Sequence, residues 1–268
     1  MSNKKIGFIG AGNMATAIIK GILKNKAKDA SDIAVFDPDA EKTEAMRIIG
    51  VSSAESGADL VEKSDIIVLA VKPQIYDQVL SEIRGAADEK KVFVTIAAGI
   101  SIEYVRNGLG YNCPMVRVMP NTPLLLGKGA TAVCKSENIS DDDFEEVFNM
   151  FALSGETEIL PESQMNAVIA VNGSSPAYIY LFAKSMADYA ESVGIDRDVA
   201  LRLICKTFEG SAEMLRSSGD SPETLIEKVS SKGGTTIEAM KVFNERGLSS
   251  IVYDAMAACT RRAEELGK

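Results

Sequence analysis

From residue 5 to about residue 160 the chain alternates between two textures. Short apolar runs rich in valine and isoleucine, KIGFIG, DIAVFD, DIIVLAV and KVFVTIA, are each followed by a segment with helical spacing, at 13–25, 39–48, 73–84 and 101–108. Such alternation predicts βαβ units and a parallel sheet. Because the runs are apolar throughout rather than at every second position, they predict strands covered on both faces. PMVRVM and GATAVC add two strands, an acidic helix follows over 140–151, and ETEIL adds another strand.

Beyond Pro161 no run rich in valine and isoleucine recurs, and the remainder reads as helices. Ser174-Ser175-Pro176, a cap followed by a first-turn proline, opens a helix that Gly194 ends. Further helices are expected over 196–217, from Ser221-Pro222-Glu223 to about 229, and from Thr235 onward. The fold class expected is therefore an α/β N-terminal domain of Rossmann type with a mainly parallel sheet, residues 1–162, followed by an all-α domain, residues 163–268. The stretch PAYIYLFAKSMADYAESV is apolar around much of its circumference, as suits either the centre of a small bundle or the face between two subunits.

Charge and composition narrow the function. Lysine and arginine number 29 against 38 aspartate and glutamate, a net of −9, with no basic run to follow a phosphate backbone, so no nucleic-acid partner is expected. The longest apolar runs are strand-length and no membrane span or signal peptide is read, so a cytoplasmic protein is expected. Cys113, Cys134, Cys205 and Cys259 form no close pair and read as reduced thiols. The chain has no histidine, which removes the usual general base and the usual metal ligand together; no metal is expected.

IGFIGAGNMATAI places Gly10, Gly12 and Ala15 between a strand and a helix. The first glycine allows the tight turn, the second lets a pyrophosphate approach the backbone, and the small third residue lets helix and strand pack closely. Gly10, Ala11, Gly12, Asn13 and Met14 are thus the expected phosphate-binding loop of a dinucleotide site. The second strand ends at Asp37, placed either to accept hydrogen bonds from the adenosine ribose or to cap the helix after it. Residues 38–41, Pro-Asp-Ala-Glu, add negative charge where a 2′-phosphate would sit, so NADH is expected over NADPH. Ala70-Val71-Lys72-Pro73, Ala97-Ala98-Gly99 and Met119-Pro120-Asn121-Thr122-Pro123 lie at carboxyl ends of expected strands, where an open parallel sheet binds its ligand. Small residues and prolines there leave room for a flat ring. Lys72 reads as phosphate-facing or solvated rather than as a reacting group.

Taken in order, IGFIGAGNMATAI, LAVKPQ, AAGIS, VMPNTP and VSSKGGTTIEAM resemble the pyrroline-5-carboxylate reductase family from about residue 4 to 265. The resemblance implies reduction of L-1-pyrroline-5-carboxylate to L-proline with NADPH or NADH. It implies a helical dimerisation domain, a homodimer or a ring of dimers, and a site to which the dimer partner contributes. Ala70, Val71, Lys72, Ala97 and Ala98 are implied on the cofactor; Met119, Pro120, Asn121, Ser231, Gly233, Gly234 and Thr235 on the substrate; and Thr236 on the ring nitrogen. Two departures stand out: Ser56-Gly57-Ala58 where many members have an asparagine near the adenosine, and Lys232 where proline is common.

The chemistry suits a chain without histidine. A cyclic imine protonated by solution is already a strong hydride acceptor, so positioning does much of the work. Gly233 and Gly234 let backbone N–H groups at a helix start face a carboxylate, and Ser231 adds a hydroxyl. Two rival readings are a β-hydroxyacid dehydrogenase, for which Lys184 and Asp188 would be the candidates, and a non-enzymatic nucleotide-sensing protein.

Overall fold

The computed structural model describes residues 4–267; residues 1–3 and 268, the extreme ends of the two expected domains, lie outside the described residues. Eight strands form one sheet: β1 (Ile6–Ile9), β2 (Ile33–Phe36), β3 (Ser52–Ser53), β4 (Ile66–Leu69), β5 (Val92–Thr95), β6 (Met115–Met119), β7 (Gly129–Lys135) and β8 (Gly155–Ile159). Their order is β3-β2-β1-β4-β5-β6-β7-β8. All neighbours run parallel except β6 and β7, which are antiparallel with Val118 opposite Val133. The central register sets Ile6 beside Ile33 on one side and Ile66 on the other. Chain order reverses direction at β1, so a crevice opens past the carboxyl ends of β1 and β4.

The helices of this part are α1 (Asn13–Lys24), α2 (Ala40–Ile48), α3 (Gly57–Lys63), α4 (Tyr76–Ile83), α5 (Ile102–Leu109) and α6 (Asp141–Ala152). They cover both faces, as the unbroken apolar strands require. One core layer joins Ile18, Ile22, Phe144 and Phe151 to Phe8 and Val68; the other joins Leu60, Leu80 and Val105 to Ile67 and Phe93. β3 and α3 have no counterpart in the sequence reading. β3 is two residues long and carries no apolar run, and α3 is a single short stretch capped by Ser56 onto the Asp59 N–H. The helix expected over 73–84 is a 3₁₀ turn, Pro73–Ile75, leading into α4.

The rest of the chain forms α7 (Ser175–Ser192), α8 (Arg197–Ser217), α9 (Pro222–Val229), α10 (Thr235–Glu245) and α11 (Leu248–Leu266). The single helix expected from Thr235 onward is two helices, because the chain turns at Gly247, whose φ is +70°.

The chain divides into two compact units, the first reaching Pro176 and including the chain end from Ala257, the second comprising Ala177–Met256. Two features keep residues past Pro161 with the sheet. A π-helical turn, Ile169–Gly173, is tied to the sheet by Asn172, whose amide donates to the carbonyls of Met119 and Ala130 at 2.7 and 2.8 Å. The last turn of α11 lies against Gly99, where a Cβ would stand 2.5 Å from the Ala263 carbonyl oxygen.

The second unit has a slender core of Ala187, Ala190, Ala200 and Ile204, beside which the Phe182 ring lies 6.3 Å from both Phe208 and Phe243. Much of its apolar surface stays outside: Tyr180 is 62%, Leu181 65% and Tyr189 69% exposed.

Candidate active site

The glycine-rich loop does what its sequence requires. Gly10 has a φ of +100°, and a Cβ there would lie 2.6 Å from the Ala70 carbonyl oxygen, so the turn from β1 into α1 closes against the end of β4. Nothing stands within 4 Å of where a Cβ at Gly12 would be. Gly12 is the N-cap of α1 and supplies no side-chain cap, which leaves the first-turn N–H groups of a twelve-residue helix facing open space. Ala15 is fully buried, so α1 packs close to the sheet.

Two clefts open there. The larger, about 550 Å³, is bordered by Gly10, Gly12, Asp37, Lys42, Gly57 and Ala70 through Lys72. The smaller, about 320 Å³, is bordered by Gly12, Asn13, Met14, Ala70 through Pro73, Ala97, Ala98, Met119 and Pro120. They share Gly12, Ala70, Val71 and Lys72, so they adjoin across the uncapped helix start. Two half-sites meeting at a phosphate-binding helix end fit a dinucleotide, one nucleoside to each. Every cofactor-binding residue expected from the sequence borders one or both clefts except Ala11, whose N–H donates to Asp37.

Asp37 is held by the protein itself. Its Oδ2 accepts the Ala11 N–H at 2.9 Å and its Oδ1 accepts the Asp39 N–H at 3.0 Å. The cap of α2 is not Asp37 but Asp39, which accepts the Glu41 N–H at 3.0 Å. Lys42, one residue beyond the acidic stretch weighed in the sequence, brings its Nζ to 3.5 Å from Asp37 and 3.3 Å from Asp39. The Lys42 hydrogen bond holds the Asp39 carboxyl below its ordinary value and Asp39 raises Lys42 in return.

Beneath the clefts a buried polar pair joins two strand ends. The Tyr76 hydroxyl donates to the Leu69 carbonyl at 2.9 Å and lies 2.8 Å from Thr95 Oγ1. Burial pushes the phenol well above its ordinary value, so it stays neutral. The bond ties the end of β4, which leads to Ala70, to the end of β5, which leads to Ala97.

The Met119–Asn121 turn is locked from below. Asn121 is buried; its Oδ1 accepts the Ala130 N–H at 2.9 Å and its amide donates to the Asn172 carbonyl at 3.1 Å. Asn172 returns two bonds, to Met119 and Ala130. The Met119 side chain lies against Gly173, where a Cβ would meet its Cε at 2.7 Å. Of the three residues expected on the substrate here, Met119 and Pro120 border the smaller cleft, while the Asn121 side chain is spent inside the fold.

The remaining expected substrate residues belong to the second unit. Gly233 has a φ of +75°, and the turn closes with the Gly234 N–H donating to the Ser231 carbonyl at 2.9 Å. Gly234 is the N-cap of α10 and offers no side-chain cap, so the first-turn N–H groups are again left open, with Ser231, Lys232 and Thr235 exposed and Thr236 half-buried. The buried Ser230 hydroxyl beside them has no hydrogen-bond partner among the described residues. By contrast Lys184 and Asp188 are exposed and paired to each other at 2.6 Å, with Arg197 on the same carboxylate.

Lys42, Tyr76, Thr95, Asn172 and Ser230 were not singled out from sequence. Only Lys42 had a legible signal, as a cation in the first turn after Asp37.

Comparison with known proteins gave a match in each half of the chain. A family model described as "Pyrroline-5-carboxylate reductase dimerisation" matches residues 162–266, and one described as "NADP oxidoreductase coenzyme F420-dependent" matches residues 5–99. A pyrroline-5-carboxylate reductase of Escherichia coli (strain K12) is 38% identical over 266 residues, covering 99% of each chain. The crystal structure of a Plasmodium falciparum pyrroline carboxylate reductase with NADP bound superposes at a TM-score of 0.93, with 29% identity and 100% of both chains covered. A 1-pyrroline-5-carboxylate reductase from Streptococcus pyogenes superposes at 0.89, with 30% identity, covering 98% of this chain and 100% of that one.

Proposed function

The chain belongs to the pyrroline-5-carboxylate reductase family, and from that premise we propose how its residues divide the work of reducing an imino acid. The reaction is reduction of the C=N bond of L-1-pyrroline-5-carboxylate to give L-proline, the last step of proline biosynthesis. When bound, the reduced nicotinamide cofactor supplies the hydride. The observation that carries the reading is the pair of uncapped helix starts, Gly12 on α1 and Gly234 on α10, one suited to a pyrophosphate and the other to a carboxylate.

Cofactor holding falls to the first unit. The N–H groups after Gly12 face the phosphates, Asp37 accepts from the adenosine ribose, and Ala70–Lys72 with Ala97 and Ala98 line the nicotinamide half-site. Asp37 favours NADH over NADPH. Comparing kcat/KM for the two cofactors tests this, and a clear preference for NADPH would reject it.

Substrate holding falls to the entrance of α10 in the second unit; in the first, the Met119–Pro120 turn borders the smaller cleft. Ser231 and the N–H groups following Gly233 and Gly234 take the carboxylate, with Thr235 at the first turn. The Thr236 hydroxyl accepts from the protonated ring nitrogen and so orients the C=N bond. Asn121 acts from within the fold by holding the turn. Solution protonates the imine before binding, so the chain needs no strong acid of its own, consistent with a protein that has no histidine. Burial pushes the Cys113 and Cys134 thiols up to about 11, which leaves them as neutral, inert thiols.

The dimerisation match in the helical half indicates a homo-oligomer. The working assembly we propose is a homodimer, with a ring of dimers as its higher form, acting in the cytoplasm. No helix among the described residues is long and apolar enough to cross a membrane. An assay of NADH oxidation with pyrroline-5-carboxylate, beside NAD reduction with a 3-hydroxy acid, tests the reading. Proline formed in step with NADH consumed is expected; turnover of the 3-hydroxy acid alone, or of neither, would overturn it.

A further inference from the structure

The larger cleft is bordered by Asp37 and Lys42 after β2, by Lys72 after β4 and by Glu82 on α4, while Asp39 lies outside its lining and within reach of Lys42. Asp37 is 10% exposed at its side chain and fixed by two backbone N–H groups, whereas Lys42 is 46% exposed and bears on both Asp37 and Asp39. The carboxylates are therefore stationary, and Asp39 is further fixed as the cap of α2. The lysine is a compact charge on a flexible stem, free to change partners without disturbing the backbone.

A ribose with a free 2′-hydroxyl needs an acceptor there, which Asp37 provides while Lys42 stays on the carboxylates. A 2′-phosphate beside Asp37 would instead meet two fixed negative charges, and of the two lysines bordering the cleft Lys42 is the one already on those carboxylates and able to turn onto it, Lys72 standing past the end of β4. We infer that Lys42 is the specificity-determining residue that keeps NADPH admissible to a site otherwise built for NADH, by moving from the Asp37–Asp39 pair to the 2′-phosphate. Discrimination between the cofactors is then a competition for one ammonium. Asp39 competes against the phosphate without touching the ribose. This inference rests on the dinucleotide reading of the Gly10–Gly12 loop and is independent of the imino acid.

The test is calorimetric titration of the full chain with NADH, NADPH, adenosine 5′-monophosphate and adenosine 2′,5′-bisphosphate, so that substrate turnover plays no part. In the unaltered chain, binding of NADH and adenosine 5′-monophosphate tests the dinucleotide reading by itself. Lys42→Ala should weaken NADPH and the bisphosphate about 10- to 100-fold, as for loss of a charge-assisted contact, and leave NADH and the monophosphate within about threefold. Lys42→Arg should keep NADPH binding. Asp39→Asn, which retains the cap but removes the competing charge, should tighten NADPH several-fold and leave NADH unchanged. Equal weakening of all four ligands by Lys42→Ala, or no weakening of any, would overturn the inference, as would failure of the unaltered chain to bind NADPH while it binds NADH.

Discussion

At the scale of single residues the mechanism proposed relies on fixed donors rather than on titrating groups. Ser231 illustrates this: its carbonyl closes the turn onto Gly234 while its hydroxyl remains exposed at the α10 entrance. Ser231→Ala should raise KM for the imino acid roughly tenfold, the worth of one hydrogen bond to a charged group, with kcat little changed; steady-state kinetics with the imino acid varied checks this. The type of residue at these places was legible, since glycines and hydroxyls at a helix start carry their own physical reason. What was not legible was the state of each side chain. Asn121 reads from sequence as a ligand, and its amide also bonds to Ala130 and Asn172 within the fold. Lys42 is legible in sequence only as a cation following Asp37; that it bears on both Asp37 and Asp39 is seen in the structure.

At the scale of elements, the strands with unbroken apolar runs were legible because burial on both faces leaves one pattern. β3 was not, since its two exposed serines follow the edge of β2 and carry no pattern of their own. The π-helical turn before α7 was hidden for a related reason. Its stabilising residue, Asn172, is a buried polar group whose partners lie 53 and 42 positions away, and sequence periodicity does not register such partners. Removing that amide takes a donor from two part-buried carbonyls. Asn172→Ala should therefore cost roughly 2 to 4 kcal/mol of stability and loosen the Met119–Asn121 turn. Denaturant unfolding beside the unaltered chain measures the first effect. An unchanged unfolding midpoint would show that the two carbonyls find other partners.

At the scale of the whole molecule, the split into a sheet unit and a helical unit was legible in the loss of valine and isoleucine runs after Pro161. The family model of the helical half begins at residue 162, while the compact sheet unit takes in residues up to Pro176 and the chain end that returns to Gly99. The helical unit has too small a core for its exposed apolar surface, as Tyr180, Leu181 and Tyr189 show. Leu181→Glu should shift the assembly toward monomers by at least tenfold in dissociation constant, since a charge in an apolar interface costs more than about 1.4 kcal/mol; sedimentation over a dilution series reads this directly. If cofactor holding belongs to the first unit and substrate holding to the second, a change in the second must alter turnover and spare cofactor binding. The most direct test is Thr236→Ala, with kcat and the NADH dissociation constant measured on the same preparation. The expected result is a kcat lower by one to two orders of magnitude, for an oriented hydrogen bond worth about 1.5 to 3 kcal/mol, with NADH binding unchanged; unaltered turnover of pyrroline-5-carboxylate would contradict the account.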